Sequence, residues 1–362
     1  MTAAAGSLPP GRVLQPGRRR WLAAAGTGVG ACVAAGVLGG CGSVALVGGA
    51  AASAASSSSA PVPDEVDLQP VAPGVWMARG RPGEVDPANR GRIGNAGVIV
   101  GKRGALVIDS GVSWRHGQAL LAAARRVSSQ PVRRLLLTHV RQEFVFGAAA
   151  FQEAGVLVAM HPAAASLMRA RCEGCLKTLQ RVLGADEMHG SRVVQPDESI
   201  EAGNLALAEA IGRPLQLLTF GAQAHSSGPG DVALLDGPSG TLFAGGLLDA
   251  DTIPDVQDAD FAGWRAALAA LRGLPIQRIV PGHGPLAPAA LIGRIAAYLD
   301  ALEARTAALL AAGTPLSEVA DATELPAFAG WDQYDTIHRR NASIVFLRHE
   351  RDMLRRPHKE GP

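Results

Sequence analysis

Six residues in separate loops carry the side chains best suited to chemistry. His139, Arg141 and Glu143 lie in THVRQEFVFG (138–147), just after the apolar run VRRLLL. Asp109 ends ALVIDSG, His225 lies in AHSSGPGD, and His283 lies in VPGHGPL. Imidazoles and carboxylates gathered from loops suit zinc. A hydrolytic zinc site takes about three protein ligands and keeps one position for water, whose pKa the metal lowers. Arg141 disturbs that pattern, because a guanidinium has donors only and brings a fixed positive charge.

Rigid elements must hold these loops. GVWMARG and NAGVIVGKRGALVIDSG read as short strands with Gly turns. WRHGQALLAAARRV has helical periodicity, VRRLLLTH reads as a buried strand, EFVFGAAAFQEAG as a helix and VLVAMH as a strand. PAAASLMRARCEGCLKTLQRVLG reads as a long helix. In the second half, LALAEAIGRPLQLLTFG and DVALLDGPSGTLFAGG read as hairpin-like strands. DFAGWRAALAALRGL reads as an amphipathic helix, and RIVPGHGPL as a strand ending in a Gly/Pro loop. From Ala287 onward the chain reads as helical. Alternating strands and helices place helices outside a largely buried sheet.

Five pieces, ALVIDSG, THVRQEFVFG, AHSSGPGD, LFAGGLLD and VPGHGPL, occur in order at strand ends. Together they resemble the metallo-beta-lactamase superfamily from about Val75 to Leu286. The resemblance implies an α/β fold, a four-layer αββα sandwich, over a domain of residues 64–286 with a C-terminal helical extension at 287–362. It implies a metal site at one edge of the sheets. RCEGC, DFAGWRAALAAL and YDTIHRRN further resemble a periplasmic branch that accompanies quinoprotein or sulfur-oxidation systems.

The resemblance also assigns ligand slots. His139, His225 and His283 match histidine ligands, and Asp109 matches the Asp of the early strand end. Arg141 and Phe144 stand where the family has histidines, Glu143 where it has Asp, and Gly246 where it has the bridging Asp. The site is thus degenerate, and the expected cofactor is none or one weakly bound zinc. Arg141 is expected to fill the volume of the first metal and to pair with Glu143 and Asp109. The three histidines are expected to converge on one cleft. His116, His161 and His189 are candidate replacement ligands, and Asp231 reads as a turn residue.

Three functions remain open. The chain is a non-catalytic accessory or binding protein, a pseudoenzyme. Alternatively, it is a hydrolase with a mononuclear zinc site acting on an ester, thioester or amide. The third reading is a redox or sulfur-handling component using Cys172 and Cys175. The partner is an unidentified small molecule or an envelope protein.

The N-terminus addresses location. GRRRWLAAAGTGVGACVAAGVLGGCGS has a basic start and a Gly/Ala-rich apolar stretch, the pattern of an export signal over residues 1–41. Arg18-Arg19-Arg20 resembles a twin-arginine signal, and LGGC resembles a lipobox that would make Cys41 a lipidated mature N-terminus. Small and polar residues at 42–63 read as a flexible tether. This places the protein in the periplasm or cell envelope, with membrane contact through Cys41. Without the first 41 residues the chain has 30 basic against 32 acidic residues. That balance gives no electrostatic reason to expect nucleic acid. Only Cys172 and Cys175 then remain, and in an oxidising compartment such a pair reads first as a structural disulfide. Replacing Arg18 and Arg19 by Lys is expected to trap the precursor inside the cell. Cys41→Ser is expected to release the exported protein from membranes, both read by fractionation and immunoblotting.

Overall fold

The computed structural model describes residues 65–355, apart from 202, 204 and 222; the leader and tether lie outside them. The first sheet runs β1 (Gln69–Ala72), β2 (Val75–Ala78), β3 (Ala96–Val100), β4 (Ala105–Ile108), β5 (Val132–Leu137), β6 (Leu157–Met160) and β7 (Glu198–Ser199) in spatial order. Pairing is antiparallel from β1 to β4 and parallel from β4 to β7. The parallel connections are helical: α1 (Trp114–Val127), α2 (Gln142–Val145) with α3 (Ala148–Glu153), and α4 (Pro162–Leu183) with α5 (Ala185–Met188). After α6 (Ala206–Ile211) comes the second sheet, β8 (Leu215–Thr219), β9 (Val232–Asp236), β10 (Thr241–Phe243) and β11 (Arg278–Val280). Helix α7 (Phe261–Arg272) connects its last two strands, which pair in parallel.

Side-chain alternation along the strands builds the layers, since successive residues point to opposite faces. Leu136 on β5 and Val232 and Leu234 on β9 meet between the sheets, together with Ile99, Ile108 and Phe243. Their neighbours Leu135 and Leu137 pack outward against Leu120 of α1, Phe151 of α3 and Met168 of α4. Ala233 and Leu235 pack against Trp264 and Leu268 of α7. This is the αββα sandwich, with helices on both outer faces.

The C-terminal helices α8 (Leu291–Ala311), α9 (Leu316–Ala322) and α10 (Arg339–Arg355) share that second outer core through Ile295, Leu299, Val319 and Phe346. A buried polar chain ties them to the 254–256 loop. The Asn341 side-chain amide donates to Pro254 O (2.8 Å) and to Tyr298 Oη (3.1 Å), and its carbonyl accepts from Val256 N (3.2 Å). Tyr298 in turn donates to His338 Nδ1 (3.1 Å), whose Nε2 donates to Thr323 O (2.7 Å).

Two elements differ from the sequence reading. The single helix expected over EFVFGAAAFQEAG is broken into α2 and α3 at Phe146 and Gly147. There the backbone presses on another loop: a Cβ at Gly147 would lie 1.9 Å from Ser110 O. LALAEAIG, expected as a strand, forms α6 instead. Its Ala, Leu and Glu are good helix formers, and Gly212 ends it in the left-handed region (φ 67°).

Asn341→Ala leaves Val256 N–H and Pro254 C=O without their buried partner. Losses of this kind cost about 1–3 kcal/mol, so a lower midpoint of denaturant unfolding is the expected result.

Candidate functional site

Strand ends at one edge of the sandwich deliver the predicted residues. Asp109 follows β4 with φ 60° and is buried. Its carboxylate accepts from Thr138 N (2.9 Å) and Thr138 Oγ1 (2.8 Å). Burial raises its pKa to about 7, against the lowering effect of those Thr138 bonds. Thr138 Oγ1 also meets His139 Nδ1 at 2.7 Å. With its proton directed to Asp109, this hydroxyl accepts from Nδ1–H, so His139 Nε2 carries the lone pair. That nitrogen is buried with no hydrogen-bond partner, and burial pushes the imidazole well below its usual pKa. His225 has the mirror arrangement. Its Nε2 donates to Phe220 O (3.0 Å), and its Nδ1 is buried without a partner.

His283 is fixed quite differently. Its Nδ1 meets Asp249 Oδ1 at 2.8 Å and its Nε2 meets Glu143 Oε1 at 3.1 Å. Burial alone would depress its pKa, but Asp249 and Glu143 raise it to about 10. The ring is therefore an imidazolium held between two carboxylates. Its loop is fastened from several sides. Asn95 donates to Pro281 O (2.9 Å) and Gly284 O (3.0 Å), and His283 N donates to Asp249 Oδ1 (2.9 Å). Gly284 has φ +85°, and a Cβ there would lie 1.8 Å from Ala250 O.

Phe144 fills the space between the histidines. Its ring centroid is 4.4 Å from that of His139 and 5.2 Å from that of His283. Gly94 makes room for this ring: a Cβ there would lie 2.6 Å from Phe144 Cζ. At Gly246, the slot of the bridging Asp, a Cβ would lie 2.7 Å from His139 Cδ2 and 3.0 Å from Ser226 Oγ. The Asp position has thus been closed over by its neighbours.

Arg141 is not where the sequence reading put it. Its guanidinium turns to the 254–256 loop, donating to Asp255 O (2.7 Å) and pairing with Asp255 Oδ2 (3.3 Å). Arg340 of α10 reaches the same carboxylate oxygen at 2.8 Å. Glu143 pairs with His283 and Asp109 with Thr138, so neither is the direct partner expected for Arg141. Phe144, not Arg141, lies between His139 and His283. A hydrogen-bonding acid beyond the turn is the better partner for a long guanidinium than a cramped, largely apolar volume.

The six residues share one edge of the fold but not one cleft. Arg141, Glu143 and His283 line a cleft of about 360 Å³, with Asp249 and Asp255. Asp109, His139 and His225 are buried behind it. The expected convergence of the three histidines is thus only partial, because Phe144 separates His139 from His283. Among the described residues, no group of three His, Cys, Asp or Glu is arranged to hold a metal. The donors present do not fit a zinc centre. His283 has both ring nitrogens engaged, and of the three slot histidines only His139 and His225 keep a ring nitrogen without a partner, His139 Nε2 and His225 Nδ1.

The replacement ligands suggested by sequence have other roles. His116 is buried, its pKa lowered to about 3 by burial and by Arg92 and Arg90. His161 caps α4 by accepting from Ala163 N (3.2 Å), and His189 ends α5. Asp231 is the turn residue expected, binding Ser226 Oγ and Ser227 Oγ at 2.7 Å each. Cys172 and Cys175 are thiols rather than the expected disulfide. On one uninterrupted helix, residues three apart have Cβ atoms about 5–6 Å apart, beyond the ~3.8 Å of a relaxed disulfide. Asp255, Asn95 and Arg340 were not singled out as functional from sequence, whereas Asp249, like Asp251, was expected to reach back toward the site only with a changed loop. Asp249 had a visible signal, as the first acid after LFAGG.

A family model described as the metallo-beta-lactamase superfamily matches residues 89–283, more than half of the chain. The chain belongs to this superfamily. Solved structures agree on the fold. A metallo-beta-lactamase from Pontibacter korlensis is 20% identical, with a TM-score of 0.52 over 65% of this chain and 99% of its own. One from Erythrobacter litoralis, with beta mercaptoethanol in its active site, is 22% identical, with a TM-score of 0.52 over 65% and 96%. FIM-1 from Pseudomonas aeruginosa, in a mono-zinc form, is 18% identical, with a TM-score of 0.52 over 66% and 97%.

The His283 imidazolium makes stability depend on pH. Between its ordinary value of 6.5 and about 10, the folded state holds a proton that the unfolded chain releases. The contribution is full below pH 6.5 and is lost as pH rises through about 10. Unfolding free energies measured across this window should fall with pH in the wild type and be flatter in His283→Gln.

Proposed function

We propose that this chain is a non-catalytic, exported member of the metallo-beta-lactamase superfamily, whose former metal edge now forms the wall of a small-ligand cleft in the cell envelope. The observation that carries the reading is the Glu143–His283–Asp249 chain. It occupies both nitrogens of a histidine in a ligand slot. Phe144 and Gly246 support it, since neither can ligate and both are tightly packed by their neighbours. The cleft is of a size that small-molecule sites use, ~300–1,000 Å³, and it presents the Arg141–Asp255–Arg340 cluster beside apolar Val140, Leu179 and Ile253. The Arg18-Arg19-Arg20 run and LGGC support export and anchoring.

A second reading, one weakly held zinc and residual hydrolysis, is favoured by one observation: His139 Nε2 and His225 Nδ1 are both buried without partners. Two lone pairs fall short of the three protein ligands a hydrolytic zinc needs.

Metal analysis of the mature protein, purified after export by its own leader and equilibrated with zinc, separates the two. Well under one zinc per chain is expected, with no cleavage of a chromogenic β-lactam, ester or thioester. About one zinc per chain, lost in His139→Ala and His225→Ala, with chelator-sensitive hydrolysis, would establish the second reading instead.

A further inference from the structure

Helix α4 presents one face to the cleft. Cys175, Thr178, Leu179 and Val182 line it, three and four residues apart, opposite Arg141, Asp255 and Asp258. One turn earlier, Cys172 is 1% exposed within the outer core and does not line the cleft. The two side chains are three residues apart on the helix and are therefore neighbours. The arrangement is therefore asymmetric: one sulfur faces a cavity that admits a small molecule, and the second is sealed behind it within reach of the first. Neither thiol has a role in the metal-derived edge or in the ligand reading above.

We propose that Cys172 and Cys175 form a thiol–disulfide exchange site for small thiols and disulfides that enter the cleft, with Cys175 as the sulfur attacked or attacking and Cys172 as the resolving sulfur. In the oxidising direction, the Cys175 thiolate attacks a small disulfide RSSR. An S–S bond forms between Cys175 and R, and the other half leaves as RS⁻ and takes a proton. Cys172 then loses its proton and attacks the Cys175 sulfur, expelling the second RS⁻, which is also protonated. Two cysteine thiols are oxidised to one disulfide while RSSR is reduced to two RSH. The reverse steps reduce the pair at the expense of a small thiol.

Electrostatics divides the roles in the same way. The neighbouring Cys172 lowers the Cys175 pKa to about 7, against burial and the nearby Asp258 and Glu143. Cys172 is pushed up, first by Cys175 and then by burial. At neutral pH the cleft-facing sulfur is thus the one with thiolate character, which is the form that attacks. The helix sets the bias of the equilibrium. Closing the disulfide needs the Cβ atoms drawn in from their helical spacing of about 5–6 Å. A strained disulfide is easily reduced, and strained or exposed pairs are the exchangeable ones.

The test treats full-length protein, with Cys32 and Cys41 replaced by Ser in every arm, with oxidised glutathione and reads adducts by intact mass and by alkylation mapping. Cys172→Ser is expected to gain one glutathione on Cys175. Cys175→Ser, with Cys172 sealed in the core, is expected to gain none while folded. Wild type should end as an intramolecular disulfide with no bound glutathione, and reduced glutathione should return it to the dithiol. The wild-type arm decides the matter even if a variant folds poorly. Two thiols that stay unreactive in the folded wild type but react once it is unfolded would overturn the proposal. So would wild type that accumulates the glutathione adduct without closing the disulfide.

Discussion

The loops at this edge of the sandwich depend on His283 held between Glu143 and Asp249. Loops delivered by separate strand ends need a contact that keeps them together. One protonated ring does this by electrostatics. Glu143 comes from α2 just after β5, Asp249 from the segment after β10, and His283 from the loop after β11. Three separate strand ends thereby meet at one histidine ring. Charge-assisted hydrogen bonds of this kind are about twice as strong as neutral ones. The buried carboxylates are tolerable because each has a partner, whereas a buried charge without one is costly.

Around that ion chain the side chains are closely packed. Phe144 brings an aromatic ring into a position where the family places an imidazole, and Gly94 is the vacancy that admits it. Gly246 removes the side chain that would collide with His139 and Ser226. These residues are understandable only as a set. A lone Phe in a metal loop would leave His283 unpaired. A lone Gly would leave a void where close packing is the rule. Beneath them, the Asp109–Thr138–His139 relay orients an imidazole with its Nε2 lone pair unpartnered. Such relays serve to fix a ligand's tautomer, and this one now fixes a ring that packs against Phe144.

The sequence made the fold legible because each strand carries a period-2 apolar pattern and each loop fragment falls in order. Arg141, Phe144 and Gly246 were equally legible as residues that cannot ligate a metal. Which residue would fill the gap was not legible. Arg141 has the charge to replace a metal, but its length lets it reach past the gap to Asp255, and only the three-dimensional position of the 254–256 loop shows that acid within range. Asp249 was readable as an acid after LFAGG but not as a partner, because the short turn at Gly245–Leu247 decides where it points. The strand expected over LALAEAIG failed for a local reason, helix propensity and a glycine cap prevailing over an apolar run.

The C-terminal helices complete the cleft rather than merely extending the domain. Asn341 holds the backbone on both sides of Asp255, at Pro254 and Val256, and Arg340 beside it pairs with the Asp255 carboxylate. Asp255 in turn anchors Arg141, two residues before Glu143. Contacts therefore run from the buried Tyr298–His338–Asn341 network through Asp255 to Arg141, which is joined to Glu143 and so to His283 along the backbone rather than by a side-chain contact. A shift of α10 that moved Asn341 would displace Asp255 and free the guanidinium of Arg141. It would thereby change both the shape and the charge of the wall facing Cys175. The same helix thus stabilises the second outer core and sets the chemistry of the cleft, so the two properties cannot vary independently.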